Sequence, residues 1–430
     1  MNGDTKKSVS NEQENEFSKR QECVRLHEVG SSVTVIANKL DRTRPWVYKW
    51  IDRFNSKAPD WYHDQSKSPN SGNTCKTSKQ IKKAIIMIRE ALVRQTDPNL
   101  EYSFIGAIAI HQELHARKIQ PLPALSTINR ILKEHNLTRQ KPKSERPKSN
   151  IYYPGLIARH PNHRHEVDLV TPRYIKGYGK IVSVNRIDAF SSHVNLGIFP
   201  SKGTDTVIEF FVIDWKDNGI PDFLQMDNEA AFRGGMYYAR SFGKLIRFCL
   251  NFGVQIIFIP WKEPWRNPLI ENFNGHFNRL LWLKKRFNDD SHLRVEAKKL
   301  LARHNQYQEY RKEQFSKSQA QSHTLTFLPK DFRFDPETEL PITHGKIHFI
   351  RLVRENGQIE ILNESFILDR QYVYEYVWAT IDTVKESLSI YHQASKNQKR
   401  ILVKELNYKL REKVCPKIPV KNFISSVNDV

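Results

Sequence analysis

The stretch His165-Glu166-Val167-Asp168-Leu169-Val170 decides the fold prediction, because the hydrophobic period changes there from helical to β-type. Two further strands follow after tight connections, and two more then alternate with helices. Three antiparallel strands followed by a β-α-β-α run predict an α/β core with a mixed five-stranded sheet and helices on its faces. The predicted strands are 166–170, 181–188, 193–199, 223–226 and 254–259, with helices near 205–215, 236–252 and 267–287.

Three acidic residues on or beside these elements are the candidates for a functional site. Asp168 lies among apolar residues of the first strand, where a carboxylate is costly unless a cation compensates it. Asp227 follows an apolar strand, at the carboxyl end where open α/β sheets place their functional residues. Glu271 lies in the first turn of a helix that Pro268 starts. Because the first and fourth strands are neighbours in the predicted sheet and the helix of Glu271 crosses near their ends, the three carboxylates are expected to converge.

Converging carboxylates repel one another unless divalent cations lie between them. Hard oxygen ligands select magnesium or manganese. Two such ions roughly 4 Å apart activate an attacking oxygen on one side and stabilise a leaving oxygen on the other. In this scheme Asp168 bridges both ions, while Asp227 and Glu271 each hold one. The prediction is a catalytic site with two Mg²⁺ or Mn²⁺ ions.

Two segments, 224–232 and 260–278, resemble the corresponding segments of retroviral-type integrases and bacterial insertion-sequence transposases of the DDE type. In those families an Asp-Asn pair ends the fourth strand, as Asp227-Asn228 does here, and the catalytic glutamate lies in text similar to Asn267-Pro268-Leu269-Ile270-Glu271. The resemblance covers about 161–315 and implies a ribonuclease-H-like core. It also implies that Asp168, Asp227 and Glu271 are catalytic, and that the reaction is 3′-end cleavage followed by strand transfer into target DNA.

The spacing of the acids departs from the family pattern. Between Asp227 and Glu271 lie 271 − 227 − 1 = 43 residues, where the family usually has roughly 35; that interval would select Glu263 instead. Glu263 lies in a proline-flanked loop without fixed geometry, so Glu271 is preferred. Four and seven residues beyond Glu271 stand Gly275 and Asn278, where some integrases use lysines on DNA. Asn274 and Asn278 share the helix face of Glu271 and are expected to bond the DNA backbone instead. Residues predicted to contact DNA from this region are Asn274, Asn278, Lys284 and Lys285.

Helical segments before the core predict two DNA-binding modules. Residues 17–57 have the helix-turn-helix layout, and the third helix leaves Tyr48, Lys49 and Arg53 facing outward, where a recognition helix meets bases and phosphates. A second module is predicted over 79–138, with Arg130 on its last helix. A polar tail (1–16) precedes the modules, a linker (58–78) separates them, and a basic linker (139–160) leads to the core.

Strand patterns return after the core. Asn356-Gly357 is a strong hairpin signal because both residues tolerate positive φ. Five short strands within 327–394 predict a separate small β-barrel, followed by a basic tail over 395–430.

The charge of the chain suits a polyanionic partner. The formal net charge is +21, and the basic linker region from Arg139 to Arg164 holds seven Lys or Arg against one acid. No apolar run reaches membrane-spanning length, and the polar N-terminus is unlike a signal peptide. Four scattered cysteines predict neither a zinc finger nor a disulfide framework. We therefore expect a cytoplasmic, nucleoid-associated prokaryotic protein that binds double-stranded DNA, acts as a homo-oligomer and has no membrane contact.

Two other functions remain open from sequence. The chain could be a DNA-binding regulator derived from a transposon whose core has lost activity, although the intact acids speak against this. It could also be a metal-dependent nuclease of the ribonuclease H class, although two DNA-reading modules would be unusual for that activity.

Overall fold

A computed structural model describes residues 4–57, 59–64, 77–95, 97–138, 151–234, 238–316 and 323–419, with side chains from 16 onward. The chain divides into two compact units, Met1–Lys76 and Thr77–Val430. Most of the predicted 58–78 linker, the basic stretch 139–150 and the end of the predicted tail lie outside the described residues. No helix in the described ranges has the length and apolar character needed to cross a membrane.

The first unit contains three helices, α1 (Asp4–Glu28), α2 (Val33–Leu40) and α3 (Arg44–Asn55). The predicted polar tail over 1–16 is wrong for residues 4–16, which form the first turns of α1. Residues such as Lys, Glu and Gln are good helix formers even without an apolar stripe. The core of this unit is formed by Cys23, Leu26, Ile36, Ala37, Val47, Trp50 and Ile51.

The second unit opens with three more helices, at the positions predicted for the second module. They are α4 (Lys79–Arg94), α5 (Ala107–Ala116) and α6 (Leu125–Glu134). The side chain of Ser78 caps α4 by accepting from the Ile81 amide at 3.3 Å. This module packs on the core rather than standing apart, since Phe104 stacks on Tyr307 with ring centroids 4.0 Å apart.

The core sheet has the predicted order of strands. β1 (Arg164–Ile175), β2 (Gly179–Asp188) and β3 (Val194–Phe199) form an antiparallel run. The next two strands, β4 (Phe223–Met226) and β5 (Gln255–Phe258), join the sheet on the other side of β1 and run parallel to it. The helices of the core are α7 (Thr204–Asp217), α8 (Ala230–Arg233), α9 (Lys244–Asn251), α10 (Pro268–Phe277) and α11 (Asp290–Phe315).

Two core helices are shorter than predicted. The segment expected to be one helix near 236–252 is helical only from Lys244, while residues 235–237 lie outside the described ranges. The predicted helix over 267–287 ends as α10 at Phe277 and continues as a single π-helical segment, Asn278–Trp282. Side chains after Phe277 therefore do not keep the helical phase on which their predicted positions depended.

The C-terminal strands extend the core sheet, so the prediction of a five-stranded core sheet is wrong and the separate small barrel is not confirmed. The strands β6 (Lys346–Leu352), β9 (Tyr376–Asp382), β10 (Ser387–His392) and β11 (Ile401–Asn407) continue the sheet outward from β5. The result is one nine-stranded sheet, ordered β11-β10-β9-β6-β5-β4-β1-β2-β3. β7 (Gln358–Ile361) and β8 (Glu364–Ile367) pair separately, as a two-stranded sheet whose turn is Leu362-Asn363. Asn356-Gly357 lies between β6 and β7, but β6 pairs with β5 and β9 instead, so the hairpin predicted there is wrong.

The C-terminal strands join the core sheet because β5 would otherwise be an unpaired edge strand. An unpaired edge strand offers a row of free backbone donors and acceptors, and β6 pairs with β5 in parallel. Both faces of β5 also gain apolar partners: Phe258 stacks on Phe349, and Ile257 packs with Ile350. β11 lies inside the segment predicted to be a basic tail. Its residues are exposed or half-buried and stand among lysines, so the sequence did not indicate a strand there.

Candidate active site

The pairing of β1 with β4 brings the two aspartates together. The parallel register places His165 opposite Leu224 and Glu166 opposite Gln225. Asp168 lies two residues after Glu166, and Asp227 lies two residues after Gln225, directly beyond the end of β4, so the strand pairing leads both acids to the same end of the sheet. Paired strands lie about 4.8 Å apart. The predicted convergence of these two acids is therefore a direct result of strand pairing.

Helix α10 carries Glu271 in its first turn, and a buried acid of β1 holds the start of that helix. The Glu166 carboxylate accepts from the backbone amides of Leu269 at 2.9 Å and Ile270 at 3.2 Å. Amides in a first helical turn lack partners within the helix and carry partial positive charge, so a carboxylate stabilises them. Arg164 donates to Glu166 at 3.1 Å and neutralises it.

Sequence analysis did not assign Glu166 to the site. The signal was present, because residues two apart in a strand lie on one face, so Glu166 and Asp168 both face α10. Gln225 on β4 also fixes the start of α10: it donates to the Asn267 side chain at 2.7 Å and to the Arg266 carbonyl at 3.1 Å. β1 and β4 thus fix the position of α10 and, with it, of Glu271.

The three acids are electrostatically coupled. Burial, followed by the charges of Asp227 and Glu271, raises the pKa of Asp168 to about 6. Burial also raises the pKa of Asp227, and the nearby Lys202 partly opposes that shift. The pKa of Glu271 rises through partial loss of solvent and through the charge of Asp227. Like charges that raise one another's pKa are a feature of sites built to hold cations or to catalyse reactions.

Hydrogen bonds orient Asp168. Asn274 on α10 donates to the Asp168 carboxylate at 2.6 Å, and Asn185 on β2 donates to the Asn274 side-chain oxygen at 2.8 Å. The amide of Asn274 thus positions Asp168 inside the site, and its predicted contact with DNA stays a prediction. Glu271 stays exposed, which leaves the site open on that side.

The acids do not form a closed cluster. Among the described residues, the group of three ligand side chains whose atoms all lie within 4.8 Å of one another is His160, Asp222 and His323, not the three acids. Mutual repulsion of carboxylates opposes closer approach. Two ions held by different pairs of acids would not require all three to meet at one point.

The loop after Asp227 is held by a buried arginine of β6. Arg351 donates to the side chain of Asn228 at 2.7 Å and to the carbonyl of Ile259 at 2.8 Å. Asn228 in turn donates to the Ile259 carbonyl at 2.7 Å. Sequence analysis missed Arg351, because only the pairing of β6 with β5 reveals its position. The C-terminal strands are thus part of the framework of the site.

Glu263, the alternative at the family's usual spacing, has other partners. Its carboxylate accepts from Arg266 at 3.0 Å and from the Tyr376 hydroxyl at 2.7 Å. It lines, together with Asp227, a cavity of about 330 Å³ beside the acids. It is not among the groups that raise the pKa of Asp168, Asp227 or Glu271. These contacts indicate that Glu263 holds Arg266 and Tyr376 in place, whereas Glu271 is the acid coupled to Asp168 and Asp227.

The residues predicted to contact DNA from the first unit are exposed or partly so. Tyr48 has 49% of its surface exposed on α3, and Lys49 is also exposed. Arg53 is half-buried and donates to the carbonyl of His63 at 3.1 Å. The cationic groups of Lys49 and Arg53 lie 4.8 and 4.7 Å from the ring of Trp50, which holds both against the helix.

The predicted DNA contacts of the second unit have partners within the chain. Arg130 is exposed and pairs with Glu134 one turn later. Asn278 accepts from Arg173 at 2.9 Å, and Lys284 donates to Gln95 at 2.7 Å.

Lys285 contacts Glu101 at 2.7 Å and pairs closely with Glu296 on α11. It thus joins the helical module to α11 rather than facing outward.

One family model matches part of the first unit. The model describes homeodomain-like domains and matches residues 15–60. The match spans α2 and α3 and most of α1, as the helix-turn-helix prediction requires. Among curated proteins none matches the chain.

Solved structures similar to the chain are retroviral. The magnesium-bound catalytic core domain of HTLV-2 integrase, in a dimeric form, is 19% identical, covers 37% of this chain and 94% of its own, and has a TM-score of 0.24. The simian T-cell lymphotropic virus intasome, solved with the PP2A regulatory subunit B56 gamma, is 15% identical and covers 72% of this chain and 100% of its own, with a TM-score of 0.28. Likenesses this weak carry no argument.

Proposed function

We propose that this protein is a DNA transposase or integrase that cleaves the 3′ end of a mobile element and joins it to target DNA at Asp168, Asp227 and Glu271. The observation that carries the proposal is that Asp168 on β1 and Asp227 directly after β4 follow a paired stretch of the two strands and are both electrostatically coupled to Glu271 on α10. A homeodomain-like domain in the same chain supplies a means of binding DNA.

The residues present fit divalent cations. The three side chains offer only hard carboxylate oxygens, the donors that Mg²⁺ and Mn²⁺ prefer. The raised pKa values of all three acids indicate a cluster of negative charge that cations would relieve. Asp168, Asp227 and Glu271 would hold the ions. When bound, two ions would supply charge stabilisation for the attacking and leaving oxygens of phosphoryl transfer.

The chain's own residues position the reaction. Asn274 and Asn185 set the orientation of the Asp168 carboxylate, while Glu166 and Gln225 fix the start of α10. The exposed side of Glu271 leaves room for a DNA strand. Little covalent chemistry is required of the protein in phosphoryl transfer, so catalysis depends mainly on such positioning.

The reaction has two displacements at phosphorus. Water attacks the phosphodiester at the end of the element, and the bond between that phosphorus and the element's 3′ oxygen breaks. The flanking strand keeps the phosphate at its 5′ end, and the element gains a free 3′-hydroxyl. That hydroxyl then attacks a phosphodiester of the target, and the target's own 3′ oxygen leaves. Joining two ends of one element requires at least two protomers on the DNA, so a homo-oligomer is part of the proposal.

The test uses the full chain with Mg²⁺ and three nucleic acids. They are duplexes from the DNA flanking the gene, a supercoiled target, and an RNA–DNA hybrid. We expect joined products with DNA, no degradation of the hybrid, and loss of joining in Asp227→Asn. Asp331→Asn, which alters an exposed acid elsewhere, is the matched control. Hybrid degradation would indicate a ribonuclease H. DNA binding without any cleavage would indicate a regulator, and either result would overturn the proposal.

A further inference from the structure

A second ligand cluster lies at the opposite end of β1 and β4 from the acids. His160 lies four residues before β1, Asp222 directly precedes β4, and His323 follows α11 in the chain. One ligand atom from each of the three side chains lies within 4.8 Å of the other two. The three residues are far apart in sequence, so the fold, and not a local turn, brings them together.

The backbone around the cluster is fixed. The amides of Asp222 and Phe223 donate to the carbonyls of Asn162 and His163, at 2.9 and 3.0 Å. On the His323 side, the amide of Ile220 donates to the Thr326 carbonyl at 2.7 Å. The rings of His160 and His323 stack with centroids 3.9 Å apart. These contacts hold the three ligand-bearing segments in place.

The hydrogen bonding of His160 sets which nitrogen is free. Its Nδ1 lies 3.0 Å from the carbonyl oxygen of Pro161, and a carbonyl can only accept, so Nδ1 carries the proton. In the neutral ring Nε2 then carries a lone pair directed at Asp222. A histidine that donates its other N–H to a backbone carbonyl is the usual arrangement for a metal ligand.

The distance between Nε2 of His160 and the Asp222 carboxylate is 3.4 Å. A charge-assisted hydrogen bond between these groups would be about 2.7–2.9 Å. Two acceptors at this distance need something positive between them. With bonds of about 2.0–2.1 Å to zinc, neighbouring ligand atoms of a tetrahedral site lie roughly 3.4 Å apart. The distance between His160 and Asp222 therefore matches that between neighbouring ligands of a tetrahedral ion.

His163 is close but is not counted as a ligand. Its ring centroid lies 4.7 Å from that of His160, yet its Nδ1 already accepts from the Arg159 amide at 3.3 Å. It flanks the cluster and limits the space beside it.

We propose that His160, Asp222 and His323 bind a zinc-class divalent transition-metal ion, with water as a fourth ligand, and that this ion ties the segment after α11 to the starts of β1 and β4. Two imidazoles and one carboxylate suit zinc, whereas magnesium prefers oxygen ligands alone. The site is separate from the acids Asp168, Asp227 and Glu271, so this proposal stands independently of the proposed reaction.

The test is calorimetric titration of Zn²⁺ into the chelator-treated full chain, with thermal melting as a second readout. His323→Ala removes an exposed ligand and His344→Ala removes an exposed histidine from outside the cluster, so neither should disturb folding. We expect zinc binding to weaken by at least about 10-fold in His323→Ala and Asp222→Asn, with His344→Ala behaving as wild type. Zinc should raise the melting temperature of wild type and His344→Ala but not of His323→Ala.

Cobalt gives an independent signature, since tetrahedral Co²⁺ has strong visible absorption bands. These bands should form with wild type and be absent in His323→Ala. Three results would overturn the proposal: zinc binding that His323→Ala leaves intact, binding lost only in Asp227→Asn, or no binding by wild type. The last would mean that the cluster is a histidine–carboxylate pair held by a proton.

Discussion

Replacing Asp168 by asparagine should stabilise the metal-free protein above neutral pH. Burial and the charges of Asp227 and Glu271 raise the pKa of Asp168 from its usual 3.8 to about 6. The unfolded carboxyl has a pKa of 3.8 and the folded carboxyl a pKa of about 6. Its contribution to stability is therefore fully present below pH 3.8 and is lost as the pH rises through 6. At pH 8 the ionised Asp168 carboxylate therefore destabilises the folded state, and asparagine keeps the shape of the side chain without its charge.

The size of the effect follows from the shift. A difference of about 2 pKa units corresponds to about 3 kcal/mol at most, before screening by solvent and salt reduces it. At pH 5 the folded carboxyl is mostly protonated, and the same two pKa values leave roughly half of that difference. Asn274 can still donate to the side-chain oxygen of an asparagine at position 168.

The assay is urea denaturation of chelator-treated protein at pH 8 and pH 5, with Asp331→Asn as the matched control. We expect Asp168→Asn to exceed wild type in free energy of unfolding, with a smaller gap at pH 5. Added Mg²⁺ should stabilise wild type more than the variant. Equal stabilities at pH 8 in chelator, or equal gains from Mg²⁺, would refute the idea that Asp168 lies in a cluster of uncompensated charge.

Two further predictions concern the framework and the DNA-binding domain. Arg351→Met should lower the free energy of unfolding by about 3 kcal/mol, because it leaves the buried side-chain oxygen of Asn228 without its donor and takes one of two donors from the Ile259 carbonyl; the exposed Arg354→Met should change it by less than about 0.5 kcal/mol. Equal effects of the two changes in urea denaturation would contradict the role of Arg351. Lys49→Ala should reduce the slope of log affinity for DNA against log salt by about 0.9, the value for one phosphate contact. The exposed Lys385→Ala is its control, and an unchanged slope for Lys49→Ala would remove α3 from the DNA interface.

Local patterns were enough to predict most elements of the core. The apolar stretches around Asp168 and before Asp227 are visible in the sequence because burial on both faces demands continuous apolar residues. Pro268 marked the start of α10 and so the position of Glu271. The antiparallel-then-parallel order of strands then fixed which ends would be neighbours, and the two aspartates lie at the same end of the sheet as expected.

Features that depend on long-range pairing could not be predicted. Nothing local in β6 or β9 distinguishes a strand of a small barrel from one that extends a neighbouring sheet, since pairing partners are set by edges elsewhere in the fold. Arg351 was missed for the same reason. Lys285 was assigned to DNA because a lysine on a helix is usually solvated, whereas Glu101 and Glu296 reach it only through tertiary packing.

The most direct test of the central claim compares Glu271→Gln with Glu263→Gln in a quantitative DNA-joining assay with Mg²⁺. Both are acids near Asp227, but only Glu271 is coupled to the aspartates, while Glu263 is paired with Arg266 and Tyr376. We expect Glu271→Gln to lose at least about 10³-fold in joining rate, as members of a catalytic unit do, and Glu263→Gln to keep more than a tenth. The reverse ranking, or full activity in Glu271→Gln, would contradict the assignment of the site.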